Sequence, residues 1–472
     1  MENKVIGFIK KFSYSLTSNL VSLLISSLVI LVVPKIIGAE EYGYWQLYLF
    51  YSGYIGFFHF GWLDGIYLKY GGKKYKELDK DNLFSQFWIL CGLQIIISII
   101  FLISIFLIVN DTKKMIVFYM VTICFVLVLP KTMLIYILQA TNRIKEYAVI
   151  TIIDRIVYFV LIVCLLVFGY NKIELLLYAD ICGKLIALIY AIYYCKDIVF
   201  RNFNLFRLDI KDIYNNINIG IKLMFANVAS MLIIGIVRYG IESIWDVATF
   251  GKISLSISIS NMMMIFISAI GVIMFPMLRR INQNRLPDIY VILRNILVIS
   301  ILGILSLYYP IRYILVEWLP EYKESLNYMA LLFPMCLYEG KMSLLINTYL
   351  KTLRKEKSML LINIVTVCFS AITTMIVIVR IKNLDLAVLS ILLLLGFRAI
   401  LAEVILSKTL NINVVRDITL ELIMTLVFVV SSWYLKSWKG MILYILFYGI
   451  YLLINKKNMY NSLKVVKTII HN

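Results

Sequence analysis

Long apolar runs follow one another along almost the whole chain, and this pattern limits the fold more than any other feature of the sequence. A helix that crosses a lipid bilayer needs about 20 mainly apolar residues. About fourteen such runs are present, and 62% of the 472 residues are hydrophobic, which is more apolar surface than one soluble core can bury. The candidate spans cover residues 12–34, 44–68, 83–109, 115–140, 148–169, 173–195, 217–240, 249–275, 290–309, 326–350, 358–379, 386–407, 417–435 and 440–455. We therefore predict an all-α, polytopic membrane protein with about 14 transmembrane helices.

The distribution of charge favours the same class of protein. The formal net charge is +19, a balance that also occurs in proteins that bind nucleic acid. Here the basic residues mostly separate the apolar runs, so we expect a lipid bilayer and no nucleic acid as partner. Loops rich in Lys and Arg alternate with poorer ones, and the two terminal segments belong to the rich set. The positive-inside rule then predicts a multi-pass protein with both termini in the cytoplasm.

Few residues of this chain suit catalysis or metal binding. The seven cysteines lie in or beside apolar runs without metal-ligand spacing, and the chain has two histidines, His59 and His471. No loop is long enough to form a soluble catalytic domain. We therefore expect no metal, no cofactor and no enzymatic activity.

A segment near the N-terminus recurs about half a chain later. Residues 19–25 (NLVSLLI) resemble residues 227–233 (NVASMLI), and at the same offset the pair YG at 42–43 falls on FG at 250–251. Six predicted spans separate the two copies. Because six is even, both copies enter the membrane in the same direction, as in transporters with parallel repeats.

The repeat predicts two six-helix lobes related by a parallel repeat, followed by two C-terminal helices. The longest cytoplasmic connection lies between spans 6 and 7, so it is the natural linker between the lobes. The predicted parts are an N-lobe at 1–195 (spans 1–6), a cytoplasmic linker at 196–216, a C-lobe at 217–407 (spans 7–12), and spans 13 and 14 with a cytoplasmic tail at 408–472.

Several basic residues lie inside predicted spans, where exposure to lipid is costly. A Lys or Arg near the middle of the bilayer costs about 2.5–3.5 kcal/mol on insertion scales, so these residues should face protein or a water-filled cavity. Lys222 and Arg294 lie near cytoplasmic span ends, and snorkelling to water explains them. The deeper cations are Lys131, Arg155, Lys184, Lys341 and Arg398.

Two interpretations of the deep cations remain open. They bind an anionic ligand in a cavity, or they form internal ion pairs that hold helices together. For Lys184 an ion pair is favoured, because Asp180 lies four residues earlier on the same helix face. Lys131, Lys341 and Arg398 are the main candidates for binding an anion, with Lys184 and Arg155 as further candidates.

Acidic residues inside the spans are candidates for coupling transport to a proton or sodium gradient. A carboxylate that changes its charge between two conformations can carry such an ion. The candidates are Asp64, Asp154, Asp180 and Glu339, and Glu403 is a further acidic residue within a span.

Short motifs in both halves of the chain carry a family resemblance. Residues 42–45 read YGYW, residues 61–65 GWLDG and residues 69–72 KYGG, and the second half contains FGKISLS at 250–256 and FP at 275–276. Together with the topology, they resemble bacterial polysaccharide-transport flippases of the Wzx type, which move O-antigen or capsule repeat units. These flippases belong to the multidrug/oligosaccharidyl-lipid/polysaccharide (MOP) exporter superfamily. The resemblance extends through span 12, and fourteen spans exceed the twelve commonest in the family.

The resemblance implies a flippase that works by alternating access. Its cargo would be an undecaprenyl-pyrophosphate-linked oligosaccharide for lipopolysaccharide or another surface polysaccharide, moved across the bacterial cytoplasmic (inner) membrane. In this family, cationic cavity residues are thought to attract the pyrophosphate while the lipid tail stays in the bilayer. Other polysaccharide-assembly membrane proteins are further expected partners.

Two other functions remain as alternatives. An ion-coupled drug or cation antiporter of the same superfamily would need unpaired carboxylates in its cavity, whereas the deep residues here lean basic. A membrane-embedded glycan polymerase or glycosyltransferase would need a larger external loop than residues 310–325 provide, or an acidic metal-binding motif.

Overall fold

Helices make up almost all of the chain. The computed structural model describes residues 2–170, 172–280, 285–456 and 458–459, with side chains from residue 13 onward except at 15, 16 and 265–280. The described residues contain no strand, and the predicted all-α, polytopic membrane fold is confirmed. The chain divides into two compact units, residues 1–228 (unit 1) and 229–472 (unit 2).

Unit 1 is formed by long apolar helices that pack side by side. Helix α5 contacts α1 and α6, and α4 contacts α3 and α6. The helices are α1 (Glu2–Ser52), α2 (Trp62–Tyr70), α3 (Lys80–Ile108), α4 (Thr112–Ala140), α5 (Ile144–Val167), α6 (Ile173–Tyr194), the short α7 (Lys196–Val199) and the first half of α8 (Ile210–Ile244). The bundle of α1, α4, α5 and α6 is therefore the core of this unit.

Local sequence explains several helix boundaries in unit 1. The Asp79 side chain accepts a hydrogen bond from the backbone N of Asn82 (3.1 Å) at the start of α3. Asp111 accepts bonds from two backbone N atoms at the start of α4. Both aspartates are N-caps, which satisfy amides that have no partner within the helix. Within α1, Gly38 has φ 77° and separates two helical stretches, which correspond to predicted span 1 and the first part of span 2.

Unit 2 contains the second half of α8 and the remaining helices. These are α9 (Val247–Arg280), α10 (Leu286–Leu305), α11 (Tyr308–Trp318), α12 (Met329–Leu332), α13 (Met335–Gly340), α14 (Asn347–Thr352), α15 (Glu356–Thr374), α16 (Leu384–Leu410), α17 (Val415–Val430) and α18 (Trp438–Ile454). Three π-helical segments, Lys341–Ile346, Met375–Ile381 and Ser431–Leu435, continue α13, α15 and α17. Tyrosines of α18 donate to backbone oxygens of α10, so the C-terminal helices are an integral part of unit 2.

Predicted span 10 is a broken helix. Its two parts, Ser325–Leu332 and Met335–Thr352, are bent by 42° relative to each other. Pro334 stands at the break, where its ring and missing N–H prevent a continuous helix. The π-helical turn that follows begins at Lys341, and such turns occur often at functional or strained positions.

The fourteen predicted spans all fall on helical segments, but fewer helices meet the length and apolarity required to cross a bilayer. Within the described part of the chain ten do so, or eleven if the bent pair counts as one span. Spans 1 and 2 share the helical run of α1, and α18 has 17 residues, fewer than the roughly 20 that a span needs.

The boundary between the units differs from the predicted linker. It lies inside α8, after Val228, whereas the sequence placed the linker at 196–216. That segment belongs to unit 1, where Asp197 pairs with Lys80 and accepts a hydrogen bond from the Tyr75 hydroxyl (2.7 Å). Burial of Asp197 opposes its ionisation, but these hydrogen bonds outweigh burial and hold the pKa of Asp197 below its usual range. The repeat symmetry and the division at 195, 217 and 408 stay predictions.

The GWLDG motif at 61–65 is a site of close helix packing. A Cβ atom added to Gly65 of α2 would overlap the carbonyl oxygen of Asn216 on α8, and one added to Gly220 would overlap that of Gly61. Glycines four residues apart allow two membrane helices to approach at their backbones. The motif therefore fixes α2 against the part of α8 that belongs to unit 1.

We expect the substitution Gly65→Ala to destabilise the protein, because the added methyl group forces α2 and α8 apart. Overpacking of this kind costs about 1–3 kcal/mol, measurable as a lower midpoint of thermal unfolding of the purified protein. Gly92→Ala on α3 is the matched control, since nothing lies within 4 Å of a Cβ atom placed there. Equal midpoints for the two variants would contradict this packing.

Candidate functional site: buried charges in each unit

Unit 1 contains a group of charged side chains on three neighbouring helices, which we name the unit-1 charge cluster. The Lys131 ammonium on α4 donates to the Asp154 carboxylate on α5, with Nζ 2.5 Å from Oδ2. On α6, Lys184 pairs with Asp180. The fifth member is Arg155, next to Asp154 on α5. The cluster therefore lies where α4, α5 and α6 meet.

Small and aromatic residues position the unit-1 charge cluster. A Cβ atom at Gly183 would lie 2.8 Å from the carbonyl oxygen of Asp154, so this glycine permits the close contact between α5 and α6. The hydroxyl of Tyr48 on α1 donates to Asp180 Oδ2 at 2.5 Å. The Lys184 ammonium also lies 5.6 Å from the centre of the Tyr48 ring, a cation–π distance. Helix α1 thereby orients the Asp180–Lys184 pair.

Arg155 differs from the other members of this cluster. Its side chain is half-buried, and no carboxylate of the described residues lies within ion-pair distance of it, although its charge acts on Asp180. The cluster thus has three cations and two carboxylates. The side chains of Lys131 and Lys184 are 9% and 14% exposed, so the cluster is partly open and has a surplus of positive charge.

Unit 2 contains a second group, which we name the unit-2 charge cluster: Arg294 on α10, Lys341 on the π-helical turn, Glu403 on α16 and Glu421 on α17. Lys341 Nζ lies 2.6 Å from Glu403 Oε2 and 2.5 Å from Glu421 Oε2. Arg294 Nε lies 2.5 Å from Glu403 Oε1, and its Nη2 pairs with Glu421. Each cation therefore bridges the same two carboxylates.

The four members of the unit-2 charge cluster are closed to solvent and comprise two cations and two carboxylates. Their side chains are at most 2% exposed, and Tyr290 donates a further hydrogen bond to Glu403 at 3.1 Å. Buried ions are tolerated only when partners satisfy them, since each isolated ion loses several kcal/mol of hydration energy. This cluster joins α10, the broken helix, α16 and α17, and both of its cations are paired with carboxylates.

Arg398 on α16 occupies a third polar site. Its guanidinium donates to Glu339 on α13 (3.1 Å), to Asn363 on α15 (3.0 Å) and to Ser230 on α8 (2.7 Å). Three helices of unit 2 thereby converge on one arginine. The Glu339 side chain is 25% exposed, so this site is less enclosed than the unit-2 charge cluster.

Of the two interpretations of the deep cations, internal ion pairing is observed for the three main candidates. Lys131, Lys341 and Arg398 each contact a carboxylate, because a cation without a counter-charge is too costly in an apolar interior. The snorkelling explanation of Arg294 is wrong, since its side chain is buried and paired. The favoured pair of Lys184 with Asp180 is observed. Whether any of these residues, or Arg155, binds cargo stays a prediction.

The acidic candidates for ion coupling have different surroundings. Asp154, Asp180 and Glu339 each pair with Lys or Arg. Asp64 on α2 is buried, and its Oδ2 lies 3.7 Å from His59 Nε2. In the described part of the chain Asp64 is the candidate without a Lys or Arg partner. The coupling role of all four stays a prediction.

Sequence reasoning missed two acidic residues of α17, Glu421 and Asp417. Glu421 completes the unit-2 charge cluster, and Asp417 lies 3.5 Å from Arg294 at its edge. A signal was present, because a carboxylate inside an apolar run needs a cationic partner. In the ranges with described side chains, no three His, Cys, Asp or Glu side chains form a group that could hold a metal ion.

A family model matches the first part of the chain. The family is described as polysaccharide biosynthesis protein, and the match covers residues 8–282. This range includes residues 8–228 of unit 1, with the unit-1 charge cluster and the GWLDG motif. Comparison of the sequence with curated proteins found no match.

Solved structures with a similar fold include three membrane transporters. Lipid II flippase MurJ in an inward closed conformation has a TM-score of 0.64 at 13% identity, over 95% of this chain and 99% of that chain. An inward-facing multidrug resistance MATE transporter of the MOP superfamily has a TM-score of 0.60 at 10% identity, over 82% and 95%. A MOP superfamily transporter from Pyrococcus furiosus Vc1 has a TM-score of 0.53 at 11% identity, over 85% and 96%. At these identities the likeness shows the fold alone.

We expect Lys341→Met to destabilise the protein strongly, because it leaves two buried carboxylates with one cation. Removing one partner of a buried ion pair costs about 3–5 kcal/mol, measurable by thermal unfolding of the purified protein. The double variant Lys341→Met/Glu421→Gln should lose less stability, since it removes the uncompensated charge as well. Lys351→Met is the control, because Lys351 is exposed on α14. An unchanged midpoint for Lys341→Met together with lost transport would indicate cargo binding instead.

Proposed function

Because the chain belongs to the polysaccharide biosynthesis protein family, we propose that it is a flippase for a lipid-linked oligosaccharide. The cargo is an oligosaccharide repeat unit on undecaprenyl pyrophosphate. The protein carries it by alternating access from the cytoplasmic to the outer leaflet of the bacterial cytoplasmic membrane, with both termini in the cytoplasm. This is transport, and no covalent bond of the cargo changes.

The observation that carries this proposal is the surplus of positive charge in the unit-1 charge cluster. An anionic pyrophosphate compensates that surplus, whereas a cationic drug would add to it. Arg155 is the first contact, since its guanidinium has no carboxylate partner among the described residues and its planar fork suits two phosphate oxygens. Lys131 and Lys184 keep their carboxylate partners without cargo, which limits the cost of holding three cations in an apolar bundle.

The same electrostatics assign different roles to the other charges. The unit-2 charge cluster is closed and balanced, so it holds unit 2 together and does not contact cargo. Asp154, Asp180 and Glu339 each pair with Lys or Arg, whereas Asp64 has no such partner among the described residues. Asp64 is therefore the candidate for proton coupling, because it can change its charge with least loss of ion-pair energy.

Complementation of a bacterial strain that lacks its own repeat-unit flippase tests the function directly. Expression of this protein should restore surface glycan, measured with a lectin or antiserum, when the strain makes a compatible repeat unit. The strain without the protein should accumulate the lipid-linked repeat unit on the cytoplasmic side. Surface glycan that stays absent with each of several defined repeat units, while the protein is present in the membrane, would refute the proposal.

Arg155→Gln should reduce transport without loss of the fold. One charge-assisted hydrogen bond contributes about 1.5–3 kcal/mol, so we expect surface glycan to appear about ten- to a hundredfold more slowly in the complementation assay. Lys222→Gln is the matched control, because Lys222 carries the same charge in unit 1 but is exposed on α8. Equal rates for the two variants, at equal protein levels, would exclude Arg155 from the binding site.

A further inference from the structure

Unit 2 contains a cavity of about 400 Å³ that none of the charge clusters contributes to. Its walls come from the start of α9, the segment that precedes α12, the start of α16 and the end of the π-helical segment after α17. All of these lie at the helix ends that we predict to face away from the cytoplasm. The cavity is therefore a separate feature of unit 2.

The charges of this cavity balance. Lys252 and Lys436 contribute two positive charges to its lining, and Glu324 and Asp385 two negative ones. Thr249, Ser325 and Asn327 add hydroxyl and amide groups. A lining with many donors and acceptors but no net charge fits a neutral, polyhydroxylated ligand better than an anion such as pyrophosphate or a cation.

Two aromatic rings form part of the same wall. Trp433 and Tyr328 are half-buried, with ring centroids 5.9 Å apart and planes inclined by 44°. Large rings that present both an apolar face and a polar edge suit ligands that are partly apolar and partly polar. A pyranose ring is such a ligand, because its C–H face packs on an aromatic ring while its hydroxyls reach polar groups. The exposed Lys436 ammonium lies 5.6 Å from the Trp433 centroid.

Hydrogen bonds fix the shape of the cavity. Arg312 on α11 donates from Nη2 to the Asn327 side-chain oxygen (2.8 Å) and from Nη1 to the backbone oxygen of Lys436 (3.2 Å). The Tyr328 hydroxyl donates to Asp385 Oδ1 at 2.7 Å. The wall is thus preorganised, which reduces the loss of entropy when a ligand binds.

We propose that this cavity is a carbohydrate-binding site for one or two neutral pyranose rings. Its volume falls within the range of about 300–1,000 Å³ that is usual for small-ligand sites. Trp433 and Tyr328 contact the ring faces, and Asn327, Asp385 and Glu324 bind hydroxyls. Its role, to receive the glycan part of the cargo on the outward side, rests on the proposed flippase function, whereas sugar binding itself does not.

Free sugars test the site on the purified full-length protein. The probes are glucose, galactose, mannose, rhamnose, N-acetylglucosamine and N-acetylgalactosamine, measured by saturation-transfer NMR. We expect at least one to bind, and Trp433→Leu to weaken that binding about tenfold, as for loss of one aromatic anchor. Trp438→Leu is the matched control, because Trp438 is exposed five residues further on and packs against Tyr313 instead. Its binding should equal that of the unchanged protein.

The outcomes separate this inference from the proposed function. If no probe binds, or if Trp433→Leu and Trp438→Leu bind alike, the carbohydrate site is refuted even when complementation succeeds. If a probe binds in a Trp433-dependent way but complementation fails, the site stands and the flippase function falls. Asn327→Ala, which keeps the aromatic rings, should also weaken binding and guards against a Trp433 variant that fails to fold.

Discussion

The cost of placing charge in an apolar interior governs the arrangement of this protein. A buried Lys or Arg loses its hydration, and only close carboxylates and hydrogen-bond acceptors compensate that loss. In unit 2 this requirement links four elements that are far apart in the sequence, since Arg294 and Lys341 share Glu403 and Glu421. The rotation of α10, α16 and α17 about their axes is fixed by the need to direct these side chains at one point.

The two units use the same pairing rule with different results. The unit-2 charge cluster is balanced and closed, so it acts as a structural connection. The unit-1 charge cluster is partly exposed and keeps one more cation than carboxylate. Pairing lowers the cost of holding Lys131 and Lys184 in the bundle. In the proposed function, the surplus charge of Arg155 attracts the anionic part of the cargo. The proposed flippase requires both ion pairing and a net positive charge in this cluster. A site whose charges are fully compensated would attract charged cargo only weakly.

The cargo of the proposed flippase has chemically different parts, and each unit has a surface that suits one of them. The pyrophosphate matches the positive surplus in unit 1. A sugar matches the neutral, aromatic cavity of unit 2, whose lining balances two lysines against two acids. Binding of the pyrophosphate depends on charge, and binding of the sugar depends on aromatic packing. Substitutions in the unit-1 charge cluster should therefore affect the first, and substitutions in the cavity of unit 2 the second.

The sequence by itself determined the class of fold and the position of almost every helix, because runs of about 20 apolar residues are a local property of the chain. It also determined the pairing of Lys184 with Asp180, since both lie on one face of one helix. The family resemblance was visible in the sequence as well, and the match over residues 8–282 supports it. The motif GWLDG was visible as one of several motifs that carry the family resemblance, but its packing against Asn216 and Gly220 was not.

Only the tertiary structure decided which cations are neutralised. Lys131 on α4 pairs with Asp154 on α5. Lys341 pairs with Glu403 and Glu421, which lie 62 and 80 residues away in the sequence. The sequence placed Arg294 near a span end, where its side chain could reach water, but in the structure this side chain is buried. Local patterns specify which face of a helix is apolar, but the partner of a buried charge depends on how helices pack and rotate against one another, which no single segment encodes.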